Sequence, residues 1–509
     1  MTDALVKPGL LPSTRLGLAL VCFLGTIIIY AVRSNLSFAI VCMVNGTAIS
    51  EMSDAVSETR QSQCPREVDN STLYDEKVEG AFIWTKEAQG SILGAFFWGY
   101  MSSQILAGYI ASRYGGRLVI GLSCLGGAIL TLISPAAANT HVFAFMVVRA
   151  LLGFFQGSIF PAMHAMWSVW APPLERSVLT GISYAGAQIG NVVVMPMSGL
   201  LCKHGPFGGW PSIFYVLGFV ALVWCVLWFW FVSDTPHTHK RIKEHERKYI
   251  VDSLGKSHSK EKEEHPPVPW GKILTSMPVW AIFVGHFAGD WGAYMMAMSL
   301  PSFLKDVVGF ELTSMGFISA IPYVLYFIMI NVGGAVADTL QHKGVLSTLT
   351  TRRLAMILAL GSQALFLVLV GFCGCGQETL VVILITLSIG LSGIQYAGFV
   401  VNYLDIAPAF AGPILGIGNT LSGFAGILAP MVMGWLTPNG TKEEWQLVFF
   451  LTGAILILGT VFFCIFAAGD VQYWAQPENK GPAYIAEAPL LLTDESEKPA
   501  KSEDVTSSV

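Results

Sequence analysis

The chain has 509 residues, 53% of them hydrophobic and 12% charged, with a mean hydropathy of +0.59. That balance leaves too little polar surface for a water-soluble protein and makes a lipid bilayer the expected solvent. The net charge of -5 carries little meaning here, because charge in such a chain acts by location, and no nucleic-acid partner is expected.

Apolar runs of about 20 residues, each able to cross roughly 30 Å of hydrocarbon, recur along the chain. They lie near 16–44, 86–110, 117–138, 141–170, 178–202, 211–232, 278–303, 314–338, 353–373, 379–403, 411–436 and 445–467. The expected fold class is an all-α membrane protein with twelve transmembrane helices in two six-helix halves. Its expected parts are a cytoplasmic N-terminus (1–15), an N-terminal bundle (16–232) with a lumenal loop at 45–85, and a cytoplasmic linker (233–277). A C-terminal bundle (278–467) and a disordered cytoplasmic tail (468–509) follow. The first run continues through Arg33 and lacks a small-residue cleavage site, so it reads as a span and not as a cleaved signal.

With both termini cytoplasmic, 20 of the 29 Lys and Arg lie inside and 7 outside, as the positive-inside rule requires. The sequons at Asn45, Asn70 and Asn439 then all fall on the opposite face, where glycans are added. The linker is rich in His and Lys and closes on Pro266-Pro267. A weak internal echo links the halves: Gly108-Tyr-Ile-Ala-Ser112-Arg113 follows span two and Gly334-Ala-Val-Ala-Asp338 follows span eight.

Polar residues inside the spans carry the functional information. Arg33 lies about two-thirds along span one, with Tyr30 three residues earlier on the same face. A guanidinium keeps its charge, so inside a bundle it faces water, an anion or an internal acid, or snorkels to the surface. A fork of donors beside a phenol suits a carboxylate or phosphate. In span four, Arg149 and Gln156 stand seven residues apart and project from nearly one face, with His164 about two turns further on, a polar row expected to line a cavity with Arg149 as a substrate contact. His164 is equally well explained as a core histidine bonded to a backbone carbonyl.

In span seven, Asp290 stands near the middle, one helical turn after His286. The two read either as a proton-carrying pair or, for Asp290, as one end of a static ion pair with Arg33 or Arg149. Small-residue spacings, Gly186 to Gly190 and Gly412 to Gly416, suit close helix seams. Of nine cysteines, only Cys64 lies plainly in a lumenal loop, and Cys373 and Cys375 are too close for an ordinary bridge. Neither a metal-ligand spacing nor a phosphate-cradling loop with its lysine occurs, so no cofactor is expected. An ion gradient or the membrane potential has to supply the energy.

Longer strings run from the first span to the last loop: Tyr30-Ala-Val-Arg33-Ser-Asn35, Phe96-Phe-Trp-Gly-Tyr100, Phe160-Pro-Ala-Met-His164-Ala-Met-Trp, Trp170-Ala-Pro-Pro-Leu-Glu175-Arg176-Ser, Ile182-Ser-Tyr184-Ala-Gly-Ala-Gln188, Val232-Ser-Asp-Thr-Pro236, Asn402-Tyr-Leu-Asp405 and Glu444-Trp-Gln446. Together they resemble the anion:cation symporter branch of the major facilitator superfamily. That branch includes sialin, the vesicular glutamate transporters and the sodium-dependent phosphate transporters, and the sialin-like members are most similar.

The resemblance implies that Arg33 holds a substrate carboxylate, that Tyr100 and Tyr184 border the cavity, and that Glu175-Arg176, Asp338 and Asp405 act in the inward gate. It also exposes departures. Gln156 and Leu152 stand where sialin-like members have glutamates, and Leu93 and Gly289 where the glutamate transporters have a histidine and an arginine. Gln156 cannot carry a proton, and Asp290 replaces an asparagine of the sialin-like pattern, which makes Asp290 the candidate substitute. The expected function is secondary transport of an organic anion, an acidic sugar or acidic amino acid, with the proton as coupling ion. Sodium-coupled transport of phosphate or urate-type anions is the alternative, and a non-transporting anion sensor is a third. The tail string Glu487-Ala-Pro-Leu-Leu491-Leu492 resembles an acidic dileucine signal, which implies a sorting adaptor and a lysosomal or vesicular membrane, with the plasma membrane as the alternative.

Overall fold

A computed structural model describes residues 13–45, 48, 80–172, 175–258, 268–374 and 376–476. The spans are α1 (Thr14–Met43), α2 (Lys86–Tyr114), α3 (Gly116–Thr140), α4 (Val142–Trp170), α5 (Arg176–His204) and α6 (Pro211–Phe231) in the N-half. The C-half holds α7 (Met277–Phe303), α8 (Leu312–His342), α9 (Thr348–Phe372), α10 (Glu378–Ile406), α11 (Ala411–Leu436) and α12 (Lys442–Phe466). All but α2 and α7 are apolar enough by composition to be membrane-spanning on that ground alone. These two carry Gly, Ser and Gln or a His and an Asp and pack against helices of both halves.

The two halves repeat one packing scheme. In the N-half α1 packs on α5, α2 on α4 and α3 on α6; in the C-half α7 packs on α11, α8 on α10 and α9 on α12. Across the halves α2 meets α11 and α5 meets α8. Glycines set the close seams. A Cβ on Gly99 would stand 1.7 Å from the Ala150 carbonyl oxygen, and one on Gly153 would stand 1.8 Å from that of Phe96, so α2 and α4 touch backbone to backbone. Gly186 and Gly190 do the same for α5 against the Phe23 and Ile27 carbonyls of α1, whereas Gly412 and Gly416 face open space. Only the first of the two expected seams is therefore a close contact.

One face carries Ser13, Gln476 and the helix at Glu244–His258 and is called the linker face; the other, with Asn45 and Gly80, is the loop face. The linker is not wholly irregular: a helix at Glu244–His258 lays Tyr249, Ile250 and Leu254 into the N-half core. Its Glu246 is buried and accepts from the backbone N–H groups of Thr14 and Arg15, capping α1, while Arg15 Nη1 pairs with Glu175 at 2.7 Å. Asp234 accepts from the Arg117 backbone at 3.0 Å and so anchors the start of α3.

Among the described residues, ion pairs that cross between the halves lie on the loop face. Lys86 pairs with Asp306 and Lys203 with Glu311, and Lys305 Nζ donates to the Val41 carbonyl at 2.7 Å. On the linker face the pairs stay within one half or its linker helix, as in Arg15–Glu175 and Arg352–Asp405. The molecule is closed on the loop face. A disulfide joins Cys42 of α1 to Cys202 of α5, a pairing hidden in the sequence because both cysteines lie in apolar runs.

Candidate functional site

The centre of the site is Arg33, 7% exposed. Five rings surround its guanidinium, those of Tyr30, Phe96, Phe97, Tyr100 and Tyr294, with centroids 5.0 to 5.6 Å from Cζ. Each such contact stabilises the cation by about 0.5–2 kcal/mol, yet rings cannot saturate five N–H donors, and Nη2 has no hydrogen-bond partner. Among the described residues Arg33 forms no ion pair. A buried guanidinium with a free donor and no ion pair has the chemistry to hold an anion.

Arg33 opens onto a cavity of about 130 Å³ between the halves. Tyr30 and Ser34 of α1 and Gln188 and Asn191 of α5 line one side; Asp290 and Tyr294 of α7, Tyr323 and Tyr326 of α8, Gln363 of α9 and Tyr396 of α10 line the other. Ser34 Oγ donates to Asn191 Oδ1 at 2.7 Å, which joins α1 to α5 at this level. Tyr323 Oη and both side-chain polar atoms of Gln363 are buried without partners, so the C-half wall holds unused donors and acceptors. A larger cavity of about 230 Å³ sits at the loop-face ends of α7, α9, α10 and α12. It is floored by Phe303, Trp445 and Phe449 and lies apart from the buried charges, so the smaller central one is the candidate site.

The other span-borne residues sort by position. Arg149 is 2% exposed and does not line the cavity; its Nη2 donates to the Arg33 carbonyl oxygen at 3.2 Å. Gln156 Nε2 donates to the Ile29 carbonyl at 3.3 Å, and its side chain faces a small space between α1, α3, α4 and α6. Tyr100 stands over Arg33, whereas Tyr184 lies toward the linker face in a row of rings running Tyr30, Phe160, Tyr184 and the exposed His164.

Asp290 pairs with neither arginine. It accepts from Ser422 Oγ of α11, and His286 Nε2 stands 3.4 Å from its Oδ2. His286 in turn bonds Tyr403 Oη through Nδ1 at 2.9 Å.

At the linker face Asp405 pairs with Arg352 at 2.7 Å and accepts from Asn402, while Asp338 is exposed and makes no hydrogen bond or ion pair among the described residues. Of the sequons, Asn45 Oδ1 accepts from the Ala48 backbone, and Asn439 Nδ2 donates to Glu444 at 2.9 Å beside the capping box of α12. Asn70, Cys64, Leu491 and Leu492 lie outside the described residues.

Sequence reasoning missed Tyr294, Tyr323, Tyr326, Gln363 and Tyr396. Tyr294 had a usable signal, one turn beyond Asp290 on the same face. The others come from helices whose approach to Arg33 only the fold reveals.

The family model of the Major Facilitator Superfamily matches residues 22–351. The chain belongs to the major facilitator superfamily. It is 54% identical over 94% of its length to "Uncharacterized transporter slc-17.2" of Caenorhabditis elegans, with 95% of that protein covered. It is 43% identical to human sialin, with 92% of both chains covered, and 37% identical to human vesicular glutamate transporter 2, with 91% of this chain and 75% of that one covered. It therefore sits in the group of sialin and the vesicular glutamate transporters, and is a multi-pass membrane transporter of anions and not an enzyme.

Solved structures agree on the fold. The inward-open xylose transporter XylE from E. coli superimposes with a TM-score of 0.64 at 13% identity, covering 89% of this chain and 96% of that one. A bacterial homologue of the human lysosomal transporter Spinster, in an inward-facing state, gives 0.66 at 12%, covering 90% and 97%.

Proposed function

We propose that this protein carries an organic anion, an acidic sugar or an acidic amino acid, by proton-coupled alternating access. The observation that carries this reading is the ring-caged guanidinium of Arg33, which makes no ion pair among the described residues and faces a polar cavity between two halves. The cargo carboxylate docks on Arg33, and its body meets the phenols and amides of the C-half wall. With the linker face cytoplasmic, the observed shape is inward-facing, and breaking the loop-face ion pairs gives the outward-facing state.

Asp290 and His286 are the coupling pair in this reading. A carboxylate that keeps clear of Arg33 and shares a proton with an imidazole can change charge during the cycle without quenching the anion site. The sialin and glutamate-transporter relatives support a lysosomal or vesicular membrane, with Leu491 and Leu492 as the adaptor signal and Asn45, Asn70 and Asn439 as glycan acceptors on the lumenal side.

Sodium-coupled transport of phosphate or a urate-type anion remains the second reading, favoured by Gln156, which is an amide bound to a backbone carbonyl and carries no proton. One experiment separates the two. Uptake of radiolabelled sialic acid, glutamate and phosphate into proteoliposomes is measured under imposed proton and sodium gradients applied separately. Sialic acid or glutamate uptake under the proton gradient is the expected result; phosphate uptake under sodium alone overturns it.

A further inference from the structure

His286 is 6% exposed and lies stacked on Phe399, with ring centroids 4.6 Å apart, so it has little freedom to turn. Its two nitrogens have different partners: Nε2 faces Asp290 at 3.4 Å, and Nδ1 meets Tyr403 Oη at 2.9 Å. Tyr403 is itself 2% exposed. The contact exists because α11 has no side chain there. A Cβ on Gly418 would stand 2.0 Å from Tyr403 Oη and 3.1 Å from His286 Nδ1.

We propose that Tyr403 is a positioning residue of the coupling pair, holding His286 toward Asp290 in both protonation states, and that Gly418 supplies the space for that contact. This rests on the coupling role assigned above to Asp290 and His286. The chemistry follows from the hydroxyl, which both donates and accepts. A neutral imidazole with its proton on Nε2 points that N–H at Asp290 and accepts from the Tyr403 O–H at Nδ1. An imidazolium donates from both nitrogens, and the Tyr403 hydrogen swings aside so that its oxygen accepts. A proton can thus arrive at or leave the pair while every heavy atom stays in place.

Other groups surround the pair. Arg33 and Tyr30 of α1, Tyr100 of α2, Tyr294 of α7, Tyr326 of α8 and Tyr396 of α10 are the charged and titratable groups that act on Asp290 besides His286 and Tyr403. One is a guanidinium and the rest are phenols. Among the described residues Asp290 hydrogen-bonds or pairs with Ser422 and His286, and His286 in turn with Tyr403.

The test uses the purified full chain in nanodiscs and needs no cargo. The carboxylic acid band in the infrared is titrated with pH, and the part lost in Asp290→Asn is taken as the Asp290 signal. Tyr403→Phe and Gly418→Ala remove the same hydrogen bond, one by deleting the hydroxyl and the other by displacing it. Both should move the midpoint of that signal in the same direction by about one pH unit, and the double variant should move it no further than either single one.

Thermal unfolding establishes that each variant is folded, and Tyr403→Phe alone carries the test if Gly418→Ala is not. A midpoint displaced by less than about 0.2 unit in a folded variant overturns the role of Tyr403 and leaves the coupling role of Asp290 standing. Absence of any Asp290-dependent band between about pH 4 and 9 overturns that coupling role, and this inference with it.

Discussion

Arg149 donates from Nη2 to the main-chain carbonyl of Arg33 at 3.2 Å, which links the two arginines at the middle of the N-half. One holds the helix and the other faces the cavity. Their substitutions should fail differently. Arg33→Lys keeps the charge but loses the planar fork, and should lower uptake at least about tenfold with normal thermal stability. Arg149→Met removes a hydrogen bond from a charged donor, a loss of about 1.5–3 kcal/mol, while the Arg33 carbonyl keeps its helical N–H partner, and should lower the melting temperature as well as uptake. Equal melting temperatures for the two variants would contradict this division.

Asp290→Asn removes the carboxylate while keeping a side chain of the same shape beside Ser422 and His286. Uptake driven by an imposed pH gradient should fall to the leak rate. Exchange of internal for external labelled substrate at equal pH needs no net proton movement and should persist. Full gradient-driven uptake in Asp290→Asn would remove the proton from this site.

The loop-face clasp makes a separable prediction. Asp306 holds Lys86 across the halves and also accepts from Trp445 Nε1 at 3.3 Å. Half-exposed pairs contribute about 0–1 kcal/mol, so Lys86→Glu should shift the population toward the outward-facing shape by several-fold. A cysteine at Gln89, labelled with an impermeant thiol reagent, reports this. The swap Lys86→Glu with Asp306→Lys should return labelling toward its starting rate.

Glycine positions divide by what lies in front of them. Gly99→Ala and Gly153→Ala place a methyl within 1.8 Å of a carbonyl oxygen on the facing helix. Both should prevent stable folding, because backbone cannot give way as a side-chain tip can. Gly412→Ala and Gly416→Ala meet nothing within 4 Å and should leave the melting temperature unchanged, as size-exclusion yield and thermal scans would show.

The spans were legible because a bilayer demands long apolar runs whatever the tertiary fold: the run at 211–232 appears as Pro211–Phe231 and that at 278–303 as Met277–Phe303. Arg33 with Tyr30 was legible for the same reason, since charge inside such a run is costly and helical spacing places its neighbour. What stayed hidden depends on helices that meet only in the fold. Ser422 is 132 residues from Asp290, Asp306 is 220 from Lys86, and Glu246 is 231 from Arg15. Composition concealed the linker helix, whose three core residues are diluted by charged neighbours.

The Cys42–Cys202 bond has a mechanical result. Cys42 follows Val41, whose carbonyl receives Lys305, and Cys202 precedes Lys203, which pairs with Glu311. The Lys305–Val41 and Lys203–Glu311 contacts therefore flank a covalent strut between α1 and α5. The bond ties the α1 and α5 ends together, so this edge of the N-half moves as one piece when the halves part.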